Sequence, residues 1–170
     1  MARIDIMGTH GAEISAIRIG DWARVPLAGF GTFAVTAHKA AGAGVLFLFD
    51  RCVALRRADE SAGRADGDAG LQEWLDTSLY EAFPDCLKGR ITGLSVPSVG
   101  EVFGDGADGR LPLMEKYAGR IAYYGGSAVP IWLRGPGGPG QPPFVLMNCS
   151  GSAYSSRTHG ARGGVPPNSG

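Results

Sequence analysis

The chain has 170 residues, with 16 basic and 16 acidic side chains, 44% hydrophobic residues, 28 Gly and 11 Pro. That length suits one domain and falls short of the usual size for two. The apolar fraction excludes a disordered chain, the Gly and Pro content excludes a plain helical bundle, and a zero formal charge without a basic stripe argues against nucleic acid as a partner.

The start, Met1-Ala2-Arg3-Ile4-Asp5, holds no apolar leader core, and no apolar run reaches the ~18 residues of a membrane span. The expectation is a chain made in a cytoplasm, with no membrane insertion. Residues 1–16 read as an N-terminal arm and residues 17–170 as the domain. From Ile17 to Asp50 the sequence is β-rich: Thr32-Phe33-Ala34-Val35-Thr36 alternates and Val45-Leu46-Phe47-Leu48-Phe49 is a short apolar run, which predicts two or three paired strands. The small residues Ala40-Ala41-Gly42-Ala43-Gly44 read as the hairpin connection.

Asp59 to Gly70 offers almost nothing to bury and reads as an exposed loop. Leu71, Trp74, Leu75, Leu79 and Phe83 then recur at helical spacing, with Pro84 closing the pattern and Trp74 as the anchor to the sheet. Ser98 and Glu101 stand in the S-x-x-E relation of a capping box, predicting a short helix from Ser98. Gly104 to Gly109 reads as a loop and Leu113 to Tyr117 as a helical turn. Three strand-like pieces follow, Arg120 to Tyr124, Pro130 to Arg134 and Phe144 to Asn148, separated by Gly and Pro. Gly135 to Pro143 reads as a surface loop, since Gln141 breaks any collagen period.

Cys52, Cys86 and Cys149 are odd in number and far apart, which gives neither a disulfide framework nor metal-ligand spacing, and buried free thiols are expected. His10, His38 and His159 stand in no nucleophile–base motif and read as exposed or hydrogen-bonded loop residues. The acidic loops Asp66-Gly67-Asp68 and Asp105-Gly106-Ala107-Asp108 lack an EF-hand ligand series, and no phosphate-binding glycine loop is present. No catalytic residue, metal or cofactor is assigned. Ser150 to His159 mixes hydroxyls, an aromatic and two candidate cations, which suits either an adaptable binding surface or an ordinary polar hairpin loop.

Five segments in order, Leu71 to Phe83, Val96 to Val102, Arg120 to Tyr123, Ile131 to Pro136 and Gly164 to Pro167, together resemble a domain family of unassigned function. It occurs in phage structural proteins and in surface proteins of gut bacteria. Its members carry W-L-N-x-x-F, F-L-P-S-x-x-E-V, W-W-L-R-S-P and G-V-R-P-A; this chain departs at Ile131, Gly135 and Pro166. The resemblance spans about residues 17–167. It implies an α+β fold of the C-type-lectin-like, formylglycine-generating-enzyme-like form, with small twisted antiparallel sheets, two short helices and long C-terminal loops. Trp74, Trp132, Arg134, Ser98 and Glu101 are the expected structural anchors.

The function so implied is a non-enzymatic phage virion protein, in the tail or decorating the capsid, found in the virion or outside the cell after lysis. It would bind a virion protein, a host receptor or a glycan, with a homo-oligomer such as a trimer adding multivalency. Tyr154, Ser155, Arg157 and His159 are the expected ligand contacts, beside a wall from Gly135 to Gln141. Two alternatives stay open: a ligand-binding protein diversified by a retroelement, and a copper-dependent oxidase of the formylglycine-generating type in which Cys52 or Cys86 approaches Cys149.

Overall fold

A computed structural model describes residues 3–7, 17–41, 44–55, 69–104, 109–135 and 144–155. The architecture is mixed α+β, with small antiparallel sheets and few short helices. Five strands form the main sheet: β1 (Arg3–Met7), β2 (Trp22–Leu27), β3 (Gly31–Ala41), β4 (Gly44–Phe49) and β5 (Ile91–Ser95). Their spatial order is β2-β3-β4-β1-β5 and every pairing is antiparallel. The region from Ile17 to Asp50 thus supplies three successive strands. Residues 3–7, read from sequence as part of an arm, instead form an inner strand, with Ile4 paired to both Phe47 and Leu94 and fully buried. The Ile4/Asp5/Ile6 alternation is too short to announce a strand, and its two partners lie far along the chain.

Strand alternation sorts the side chains to two faces. Ile4, Phe33, Val35, Val45, Phe47, Phe49 and Leu94 enter the main core, while Leu46 and Leu48 turn to the other face and meet Leu111 and Met114. The main core is closed by helix α1 (Ala69–Trp74), which runs into a π-helical turn over Leu75–Leu79 and buries Leu75 and Leu79. In the first of these turns the Thr77 hydroxyl donates to the Glu73 carbonyl at 2.6 Å, competing for the acceptor of the regular ladder. Pro84 then ends the pattern and serves as N-cap to α2 (Asp85–Lys88). The sequence places the helix start after a loop ending at Gly70, whereas the helix begins at Ala69.

Helix α3 (Val99–Phe103) begins at Ser98 with both arms of the capping box present. Ser98 Oγ accepts from Glu101 N at 3.0 Å and Glu101 Oε2 accepts from Ser98 N at 2.8 Å. A 3-10 turn (Pro112–Met114) and α4 (Tyr117–Arg120) follow. Arg120, read from sequence as the first residue of a strand, closes α4 instead, because its guanidinium is engaged with the carbonyls of the turn before it. Strands β6 (Ala122–Tyr124) and β7 (Ser127–Val129) make a hairpin, and β8 (Ile131–Arg134), β9 (Phe144–Met147) and β10 (Tyr154–Ser155) form a sheet of order β10-β9-β8.

This second sheet serves two cores. Ile131, Leu133, Val145 and Met147 pack with Cys52, Val99, Val102 and Ala122 in a smaller second core, whereas Trp132 and Phe144 pack against the main core. Trp132 therefore ties the C-terminal strands to the main sheet, and Trp74 lies half-buried on the same core with its ring 6.0 Å from that of Phe30.

Candidate binding surface

A polar link joins the two cores beside Trp132 and Phe144. Arg134 donates through Nε to the Val96 carbonyl at 3.1 Å and through its backbone N–H to the Pro97 carbonyl at 2.9 Å, and its Nη2 lies 3.4 Å from Glu101 Oε2. The same carboxylate thus caps α3 and holds β8. Three of the expected anchors, Ser98, Glu101 and Arg134, meet at this junction between α3 and β8, where Ser98 and Arg134 also form a parallel bridge, while Trp132 lies on β8 and packs against the main core.

A second polar element organises the outer side of the small core. Arg120 is buried, and its Nε and Nη2 donate to the carbonyls of Met114 and Glu115 at 2.6 and 3.0 Å. Its guanidinium lies 5.0 Å from the Tyr117 ring centre and 5.3 Å from that of Phe103, and Phe103 in turn packs on Tyr154 at 5.2 Å. Cation–π contacts of this kind gain strength when the cation is desolvated. The result is a column, Tyr117, Arg120, Phe103 and Tyr154, that runs between the exposed Tyr117 and the half-buried Tyr154.

The column fixes the β9–β10 turn. Gly151 sits at φ 68°, and a Cβ there would come within 2.7 Å of Arg120 Cβ, so only glycine lets the turn approach the arginine so closely. Within the turn, Asn148 Oδ1 accepts from Ser150 Oγ at 3.0 Å and from Ser152 N at 3.1 Å, and Asn148 Nδ2 donates to Ser152 Oγ at 3.1 Å. Asn148, Ser150 and Ser152 are exposed, so a locally satisfied turn still offers amide and hydroxyl groups at the surface.

The neighbouring β6–β7 hairpin carries two exposed aromatic rings. Gly125 and Gly126, at φ 57° and 85°, form its tight turn, and Ala122 roots it in the second core. Tyr123 and Tyr124 point to opposite faces of the ribbon, yet both are exposed, at 45% and 40%. The ribbon therefore projects with an aromatic ring on each side. Sequence reasoning read these residues only as a strand; the Gly-Gly pair directly after two tyrosines was the available signal for a projecting hairpin.

Of the expected ligand contacts, Tyr154 packs on Phe103 at the edge of the second core and Ser155 contributes backbone to β10. Gln141, Arg157 and His159 lie outside the described residues, as do His10, the two acidic loops, residues 136–143 and the terminal G-V-P-P segment. The expectation of buried thiols is corrected for two cysteines: Cys52 is buried, but Cys86 and Cys149 are exposed, since one opens the short helix α2 and the other sits in the β9–β10 turn. The expectation for His38 is corrected too. It lies buried in β3, at the bulge between Ala37 and Lys39, and its Nδ1 has no hydrogen-bond partner among the described residues.

Among the described residues no group of three or more His, Cys, Asp or Glu is placed to hold a metal ion, and no helix is long and apolar enough to cross a membrane. Compared with family models, with curated proteins and with solved structures, the chain matches none of them.

Proposed function

We propose that the chain is a non-enzymatic binding module of a phage particle, a tail or capsid-decorating protein on a C-type-lectin-like scaffold, which meets a receptor, glycan or neighbouring subunit through the surface around its second core. The observation that carries the binding role is the Tyr117–Arg120–Phe103–Tyr154 column, which holds the β9–β10 turn in place beside a hairpin exposing Tyr123 and Tyr124. A rigid frame that presents tyrosines and short polar side chains suits recognition. Tyrosine adds contact area at small entropic cost, and its hydroxyl can hydrogen-bond the rim of a sugar or peptide stacked on the ring. The virion setting rests on the five-segment resemblance.

Two measurements test the reading. Mass spectrometry of purified particles detects the protein, and its absence there overturns the virion assignment. In particles carrying Tyr123→Ser with Tyr124→Ser, adsorption to host cells falls by about tenfold or more, while stability of the isolated chain changes by no more than about 0.5 kcal/mol, because both rings are solvent-exposed. Unchanged adsorption removes the hairpin from the binding surface.

A further inference from the structure

Elsewhere in the fold two backbone irregularities border one depression. The π turn Leu75–Leu79 interrupts the helix at Asp76. On β5, Asp5 pairs with Gly93 and Ile6 with Ile91, so Thr92 is the extra residue of a bulge. Asp76, Tyr80, Ile91, Thr92, Gly93 and Leu94 line a depression of about 230 Å³ between them. π turns and β-bulges interrupt regular ladders and are over-represented at functional sites, where they re-aim side chains.

The chemistry of the walls is specific. Gln72 Nε2 donates to Asp76 Oδ1 and to the Leu94 carbonyl, each at 2.9 Å, which ties the carboxylate to the edge strand. The Tyr80 hydroxyl is committed to the Lys88 carbonyl at 3.0 Å, leaving its ring as lining. Over residues 69–95 the acids Glu73, Asp76, Glu81 and Asp85 outnumber Lys88 and Arg90, and Lys88 is paired with Glu81 at 2.9 Å and Asp85 at 3.3 Å. Among the described residues Asp76 is the charged group of the lining, and it accepts a hydrogen bond from the neutral Gln72 amide.

We propose that this depression binds a primary ammonium carried on a short apolar stem. The ammonium meets the Asp76 carboxylate, and the stem lies along Ile91 and the Tyr80 ring. A guanidinium fits less well, because its planar fork is best met by both carboxylate oxygens and would have to share Oδ1 with the Gln72 amide, whereas an ammonium is a point donor that Oδ2 alone can serve.

The test is an amide-resolved NMR titration of the full chain with n-pentylammonium, at fixed ionic strength, beside n-pentanol and n-propylguanidinium. Pentylammonium moves the signals of Asp76, Thr92 and Gly93 saturably, with a Kd on the order of 1 mM. Pentanol leaves them in place, propylguanidinium binds more weakly, and Asp76→Asn, a near-isosteric change at an exposed site, weakens pentylammonium about tenfold or more. The absence of saturable shifts at these residues, equal shifts with pentanol, guanidinium binding as tight as ammonium binding, or undiminished binding by Asp76→Asn overturns the proposal. None of these results bears on the tyrosine hairpin, so the two proposals stand or fall separately.

Discussion

The core under the five-stranded sheet and the core behind the C-terminal strands are built differently. The first is filled by alternating strand residues with aromatic rings at its centre: Phe49 meets Phe33 edge-on at 5.8 Å and Phe83 at 6.2 Å. The second is small, and its borders are set by polar groups: buried Glu101 with part-buried Arg134 on one side, buried Arg120 on the other. Burial of apolar area is non-directional and tolerates small shifts, whereas a guanidinium donating to named carbonyls has one acceptable position. The first core therefore supplies bulk stability and the second supplies geometry, which is what a surface that presents side chains requires.

The largest effect expected from breaking this arrangement comes from Phe49→Ala. The ring is fully buried between two others, and its removal costs about 3–5 kcal/mol in urea unfolding, lowering stability across the whole chain. Arg120→Met comes next at about 2–3 kcal/mol, because the aliphatic stem is kept while the Met114 and Glu115 carbonyls lose their donor and two rings lose their cation. Hydrogen exchange separates the two variants. Arg120→Met loses protection first in residues 144–155 and around Phe103, with the main sheet retained, whereas equal loss everywhere denies that the small core is a separable unit.

The same contrast explains what the sequence revealed. Strands β3 and β4, the helix around Trp74 and the Ser98 cap are written locally, in alternation, in helical spacing and in a four-residue motif, and each could be read without knowing its neighbours. β1 could not, because its strand character comes from partners at Phe47 and Leu94. Arg120 was hidden for a related reason: its importance lies in carbonyls of the preceding turn and in the approach of Gly151, and nothing in R-I-A-Y announces either. Ser150 to His159 drew attention by composition alone, yet its described tyrosine, Tyr154, packs on Phe103, while the more exposed Tyr123 and Tyr124 stand on a hairpin of simple sequence. Composition marks residue types that bind well; exposure is decided by packing.

The smallest effect sharpens the contrast from the other side, because the main sheet holds a buried polar irregularity of its own. His38 lies at the β3 bulge, 6% exposed, and burial lowers its pKa from 6.5 to about 4 despite the opposing pull of the Asp50 charge. In the unfolded chain the imidazole takes up a proton near pH 6.5, whereas in the folded chain it stays neutral until about pH 4. Between those values the unfolded state binds more protons, so stability is fully present above pH 6.5 and is lost as pH falls toward 4. His38→Phe removes both the titration and the unpartnered Nδ1, so urea midpoints measured from pH 7 to pH 4 fall less steeply in the variant, while its stability at pH 7 is equal or higher. If the variant keeps the slope of the parent chain, the acid sensitivity arises from other groups and the main sheet is as purely apolar in its energetics as its aromatic centre.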